Sequence, residues 1–282
     1  MYTWPRSSGP NFVPLRIDRS IKMKKVALIT GASSGIGKEL ARIHAEKGGD
    51  VIIVARRLEK LDTLKTELEL KHGIVVMAIA KDLSKLGAAK ELYNELQEAG
   101  VKVEYLCNNA GFGLRGKFHE LPWERQQQMV NLNMTVLTEL TYLFLPQMVA
   151  RNHGKILNTS STASFMPGPL QAVYYASKAY VTFLGNAIAE ELHDTGVTIT
   201  TLMPGATETE FAATSGMDKT GLFEKTVSAR SVAEDGYNGM ISGKLDVVSG
   251  LTLAQNLMMK SIPITPKKLL LKQIRKMQEV NT

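Results

Sequence analysis

One cysteine, Cys107, stands among 282 residues. That excludes an intrachain disulfide framework and any multi-cysteine zinc or iron–sulfur centre, and a reducing compartment such as the cytoplasm is the simple expectation. No apolar run approaches the ~20 residues that a bilayer-spanning helix needs. Residues 1–22 contain three prolines and lack an apolar run of signal-peptide length. They are Arg-rich and acid-poor, which is the character of a transit peptide or, since Met23 opens the run MKKVALITG, of an overlong gene start. A disordered or non-native tail is expected there, outside the fold. No internal repeat and no linker divides residues 24–250, so one folded body is expected over 23–250, with a basic amphipathic extension over 251–282.

What is present is ordinary for a globular protein: 44% hydrophobic and 22% charged residues. The net charge of +7 is unevenly placed. Residues 1–25 carry six Lys/Arg against one acid, and residues 260–282 again six against one, so each end holds +5 and the body between them −3. A nucleic-acid-binding core should carry its positive charge on a folded face, so no nucleic acid is expected as a partner.

From Lys24 onward, short β-branched runs alternate with amphipathic stretches. Strands are read at 26–30, 51–55, 75–80, 103–107, 155–160, 198–203 and 246–249, and helices at 36–48, 58–71, 84–98, 122–150, 173–194 and 230–242. Near-continuous apolar strands separated by helices imply a parallel sheet covered on both faces. The expected fold is α/β, a single doubly wound Rossmann-type domain with about seven strands. Near the end, ITPKKLLLKQIRKMQEV reads as a short helix with Leu269, Leu270, Ile274 and Met277 on one side and lysines on the other. Such a helix docks by its apolar stripe, or meets an anionic membrane surface.

Directly after the first strand comes Thr30-Gly31-Ala32-Ser33-Ser34-Gly35-Ile36-Gly37, followed by a helix. Strand, glycine-rich turn and helix N-terminus together make an anion site, because unpaired N–H groups and the helix dipole converge on it. Gly31 permits the tight turn, Gly35 close approach to a pyrophosphate, and Gly37 close helix–strand packing. A nucleotide-hydrolase loop would need G-x-x-x-x-G-K-[ST], which this stretch does not match. The second strand ends in Ala55-Arg56-Arg57, with Ala55 where an acid would select NAD. A base there accommodates a 2′-phosphate, so NADP(H) is expected, with Arg56 the contact and Arg57 its solvated neighbour.

The loop resembles the T-G-x-x-x-G-x-G motif of the short-chain dehydrogenase/reductase family, and further matches follow in order over about residues 24–250. Asp82-Leu83 corresponds to the family position beside the adenine; Asp82 also suits a helix N-terminus. Asn108-Asn109-Ala110-Gly111 matches N-N-A-G, with Asn109, Ala110 and Gly111 beside the adenosine ribose. Tyr174 and Lys178 form Y-x-x-x-K, one helical turn apart on one face. A free tyrosine titrates near pH ~10, so a neighbouring cation is expected to lower the phenol enough for proton transfer. Lys178 would also hold the nicotinamide ribose, and Tyr175, out of phase, should pack.

By the same resemblance Ser161, thirteen residues before Tyr174, holds the substrate carbonyl oxygen as a donor, with Ser160 a structural neighbour. No G-x-S-x-G elbow exists to make it a hydrolase nucleophile. Asn133 corresponds to the family's fourth catalytic residue, holding a water that connects Lys178 to solvent, and Asn131 to a bystander. Pro204-Gly205-Ala206-Thr207-Glu208-Thr209 matches P-G-x-x-x-T: Pro204-Gly205 bends the chain over the nicotinamide, Thr209 orients its carboxamide, and Thr207 is counted with them as cofactor-binding. The resemblance implies an oxidoreductase transferring hydride between NADP(H) and a small carbonyl or alcohol, acting as a homodimer or homotetramer. Phe112, Leu114, Phe165, Met166, Leu170, Phe211 and Leu222 are expected to make an apolar pocket. A membrane-associated reductase of a lipid ketone or acyl thioester and a non-catalytic NADP(H) sensor remain open.

Overall fold

The structure, a computed structural model, describes residues 23–279; the tail expected over 1–22 lies outside the described residues. Seven parallel strands are built from the apolar runs: β1 (Val26–Thr30), β2 (Val51–Ala55), β3 (Val76–Ala80), β4 (Val103–Asn108), β5 (Gly154–Thr159), β6 (Val197–Pro204) and, after a pair of two-residue strands β7 (Thr207–Glu208) and β8 (Val227–Ser228), β9 (Asp246–Ser249). The sheet order is β3-β2-β1-β4-β5-β6-β9. The chain runs outward one way from β1 and the other way from β4, so the crossovers leaving their carboxyl ends diverge and open a crevice there.

Continuous apolar strands arise because both sheet faces are covered. Leu28, Ile52, Val54, Leu106 and Ile156 meet one helical layer, made by α3 (Ala88–Glu98), α5 (Leu137–Ala150) and α6 (Ala172–Glu191). Ala27, Ile29, Val51, Ile53 and Leu157 meet the other, made by α1 (Gly35–Glu46), α2 (Leu58–His72) and α8 (Ala229–Ser242). Each fully buried Val or Ile side chain contributes about 1.5–3 kcal/mol. Two such layers rigidly place the strand ends that carry the site.

Two helices differ from the sequence expectation. The segment 122–150 is not one α-helix: α4 (Trp123–Val130) passes through a π-helical stretch, Asn131–Val136, before α5 begins. The segment 84–98 becomes helical only at Ala88, because Gly87 is left-handed at φ +81° and the Asp82 carboxylate closes a turn by accepting from the Ser84 backbone and hydroxyl.

Beyond the sheet, α7 (Phe211–Ser215) and a 3-10 turn Gly221–Phe223 form a flap, and the chain ends in α9 (Leu253–Ser261) and α10 (Lys267–Gln278). Helix α10 packs against the Gly221–Phe223 turn, and Arg115 Nε donates to the Gln278 carbonyl at 2.8 Å. Its buried stripe is Leu270, Ile274 and Gln278, at helical spacing i, i+4, i+8. Leu269 and Met277, expected in that stripe, are 50% and 39% exposed. Leu270 and Ile274 take the inward position on the face they share with Gln278, and Leu269 and Met277 each sit one residue off it.

Candidate active site

The carboxyl ends of β1, β4, β5 and β6 converge on one cavity of about 460 Å³. At its floor Gly31 and Gly35 have left-handed backbones, φ +70° and +53°. A Cβ on Gly31 would lie 2.9 Å from Ala110 Cα, and one on Gly37 2.5 Å from both Gly31 O and Asn109 Nδ2. The third glycine therefore packs against the loop and Asn109. Ser34 caps α1 without a side-chain hydrogen bond, so the first-turn N–H groups of the helix stay available to an anion. Thr30 braces the loop, accepting from the backbone of Asn109 and Ala110 at 3.0 Å each.

At the rim beside β2, Arg56 is exposed and lines the cavity. Arg57 is not the solvated neighbour expected: its Nη2 donates to Ser33 Oγ at 3.0 Å and to Glu210 Oε2 at 2.7 Å. Asp82 and Leu83 line the far end. The Asp82 carboxyl lies below its ordinary value: hydrogen bonds from Ser84 and the charge of Arg56 prevail over burial, which pushes it up. Asn131, expected to be a bystander, donates to the Ser84 carbonyl at 2.7 Å and ties the π-helical stretch to this corner.

At the other end, Ser161 Oγ accepts from Ala163 N at 3.1 Å and donates to the Pro204 carbonyl at 3.4 Å. Tyr174 and Lys178 are buried on α6. Lys178 Nζ donates to the Thr159 carbonyl at 2.8 Å. Burial pushes the Tyr174 phenol up to about 12, with a hydrogen bond from Ser161 pulling the other way, and pushes Lys178 down to about 8. The expected lowering of the phenol gives way to desolvation, with the Lys178 ammonium 5.8 Å from the ring centre. Asn133 is held inside the π-helical stretch: Nδ2 donates to Phe112 O and Ser177 Oγ, and Oδ1 accepts from Phe112 N. A Cβ on Gly111 would lie 3.0 Å from Asn133 Oδ1 and 3.5 Å from Lys178 Nζ, so the two side chains reach one point above that glycine. Ser160 Oγ is occupied locally, donating to the Lys178 carbonyl.

Pro204, Gly205, Thr207 and Thr209 line the wall from β6. Residues 25–220 match the family model for the short chain dehydrogenase. The chain belongs to the short-chain dehydrogenase family. Among relatives, it is similar to the human 17-beta-hydroxysteroid dehydrogenase type 3, 36% identical over 192 residues, covering 66% of this chain and 60% of that one. The human very-long-chain 3-oxoacyl-CoA reductase is 32% identical, with the same two coverages. The chain thus spans about three fifths of these human relatives' length. Among solved structures, the short-chain dehydrogenase from Sphingobium yanoikuyae in complex with NADPH superposes with a TM-score of 0.77 at 29% identity, covering 92% of this chain and 99% of that one.

Within this short-chain dehydrogenase, the apolar end of the cavity differs from expectation. Phe112 and Phe211 line it, joined by Met217 and Phe223. Leu114 and Met166 instead pack in the apolar cluster that receives Ile262, Leu270 and Ile274 from the C-terminal extension. Phe165 is 38% exposed, and Leu170, left-handed at φ +66°, gives its carbonyl to Gly116 N. The side chain of Leu222 lies outside the described residues. Sequence reasoning missed Glu210 and Arg125, whose guanidinium stacks 4.7 Å from the Phe112 ring centre. Glu210 carries no local signal, since its partners lie 153 and 150 residues away; Arg125 reaches the cavity from the first turn of α4.

Proposed function

We propose that the protein transfers hydride between NADP(H) and an apolar carbonyl or alcohol, with Tyr174 as the acid/base. One observation carries this reading: a single cavity is lined at one end by Arg56, Arg57 and the phosphate loop and at the other by Ser161, Tyr174 and Lys178. The residues fit a dinucleotide, since the loop glycines leave no room for side chains and the α1 N-terminus is uncapped. The nicotinamide cofactor supplies the hydride or accepts it. Gly31, Ser33, Ser34, Gly35, Ile36 and Gly37 cradle its pyrophosphate, Arg56 and Arg57 face a 2′-phosphate, and Asp82, Leu83, Asn109, Ala110 and Gly111 border the adenosine.

Ser161 and the Tyr174 phenol hold the substrate oxygen. During reduction Tyr174 gives its proton to the developing alkoxide, and Lys178 with Asn133 returns a proton from solvent. Thr207 and Thr209 border the nicotinamide. Phe112, Phe211, Met217 and Phe223 surround the rest of the substrate, which favours an aliphatic, aromatic or acyl group over a sugar. The test is NADPH oxidation against ketones, aldehydes and acyl thioesters, run beside NADH. Turnover that vanishes in Tyr174→Phe supports the reading and excludes a sensor without catalysis; equal use of NADH overturns the choice of cofactor.

A lipid carbonyl is favoured by the outward face of α10. Opposite its buried stripe lie Leu269, Lys272 and Lys276, all exposed, a surface suited to peripheral contact with anionic lipid. Co-sedimentation with anionic vesicles, lost in Lys272→Glu/Lys276→Glu, checks it; indifference to lipid counts against it. A homodimer is proposed from Tyr142 on α5 and Phe183 on α6, which are 75% and 73% exposed, and light scattering of the purified protein reads its mass.

A further inference from the structure

Glu210 opens the flap segment, 153 residues from Arg57 in the chain. Its Oε2 accepts from Arg57 Nη2 at 2.7 Å and its Oε1 from Lys60 Nζ at 2.6 Å. Next to it, Thr209 rests on the phosphate loop, where a Cβ on Gly35 would lie 2.7 Å from the Thr209 methyl. On the other side, the Phe211 ring packs 5.2 Å from the Tyr174 ring. One carboxylate therefore sits among the donors of an anion site, on the segment that covers the reactive tyrosine.

We propose that Glu210 is a placeholder on the subsite for the cofactor 2′-phosphate: it holds Arg57 and Lys60 until the phosphate displaces it, and its release frees the Glu210–Phe223 flap from the phosphate loop. This rests on the NADP(H) reading above. Arg57 Nη2 spends both of its hydrogens, one on Ser33 Oγ and one on Glu210. A phosphate bound between Ser33 and Arg57 competes with Glu210 for that nitrogen. It brings more charge and more acceptor oxygens than a carboxylate, and bonds to ionised acceptors strengthen accordingly. The Glu210 pairs are about two fifths exposed, so they are held at the modest strength of surface pairs and can be exchanged. Arg57 and Lys60 hold the Glu210 carboxyl down to about 2, which keeps the competitor ionised throughout the neutral range. Because Phe211 follows Glu210 directly, its departure loosens the cover over Tyr174, and nucleotide entry precedes substrate entry.

The test uses 2′,5′-ADP and 5′-ADP as probes, with calorimetric affinities for the wild type, Glu210→Gln, Arg57→Met and the double variant. Hydrogen exchange of residues 210–223 is followed in parallel. Glu210→Gln should bind 2′,5′-ADP about three- to tenfold tighter, with 5′-ADP changed less than about twofold, and in the Arg57→Met background the gain should shrink below about twofold. In the wild type 2′,5′-ADP should speed exchange of the flap, which in Glu210→Gln should already be fast without nucleotide. Equal or weaker binding of 2′,5′-ADP by Glu210→Gln, a matching gain for 5′-ADP, or a gain that survives loss of Arg57 overturns the proposal. Failure of the NADP(H) reading looks different: the wild type would then bind the two probes equally, and the placeholder role would fall with it.

Discussion

Lys178 Nζ stands 5.8 Å from the centre of the Tyr174 ring and spends a hydrogen bond on the Thr159 carbonyl instead. Burial drives the two groups toward neutrality, the phenol up to about 12 and the ammonium down to about 8. In the free protein the group that titrates near working pH is therefore the lysine. Because kcat/KM for the nucleotide reports the free enzyme, that quantity should fall about tenfold per pH unit above the Lys178 value. A profile measured from pH ~6 to ~10 that stays flat past ~9 would show that the lysine charge is not needed.

The same burial makes Lys178 costly to the fold. Its folded value is depressed below the ordinary 10.5, so the unfolded chain binds the extra proton. The penalty is full below pH ~8 and relaxes as pH rises toward ~10.5. A depression of this size corresponds to about 3 kcal/mol, less about 1 kcal/mol for the hydrogen bond to Thr159. Lys178→Met should abolish turnover while stabilising the protein by about 2 kcal/mol at pH ~7, read from urea unfolding. A loss of stability would refute this balance.

The sheet was legible because burial on both faces demands uninterrupted apolar strands, as in Val51-Ile52-Ile53-Val54, and few other patterns do. Ser161, Tyr174 and Lys178 were legible through the family resemblance, with which a strand end and a one-turn helical spacing agree. What local pattern does not encode is reach across the chain. The Arg57–Glu210 pair depends on two loops meeting, and nothing near Arg57 announces a carboxylate 153 residues away. The π-helical turn around Asn133 keeps the composition of an ordinary helix, while its side chain bonds to Phe112 and Ser177 on other elements. Of the four residues expected in the stripe of α10, Leu270 and Ile274 are buried and Leu269 and Met277 are not, because Leu269-Leu270-Leu271 offers three leucines and only packing chooses among them.

That choice of stripe is testable. Ile274 is 2% exposed and shares a cluster with Tyr174 and Tyr175, whereas Leu269 is half exposed. Ile274→Asp should cost at least about 3 kcal/mol, from the lost side chain and an unpaired buried charge. It should also raise KM for the carbonyl substrate, since the cluster backs the cavity wall. Leu269→Asp should change stability by less than about 0.5 kcal/mol. Paired thermal unfolding curves compare the two, and equal losses would mean that the helix docks by another face.

His44 links the opposite end of the sheet to acid stability. It is buried on α1, with Nδ1 3.0 Å from the Tyr237 hydroxyl and Nε2 2.5 Å from the Lys25 carbonyl. With Nε2–H donating to that carbonyl, Nδ1 accepts from Tyr237, which requires the neutral ring. Burial lowers its value below the ordinary 6.5, prevailing over the Lys25 carbonyl and the charges of Asp50 and Glu104, which raise it. Below pH ~6.5 the unfolded chain takes up a proton that the folded chain resists, so stability declines by up to about 1.4 kcal/mol per pH unit as the medium is acidified. His44→Gln lacks that titration. Between pH ~7.5 and ~5.0 the wild type should lose more stability than the variant, read from urea midpoints multiplied by the common m-value. An identical pH dependence would place the acid sensitivity on the carboxylates alone.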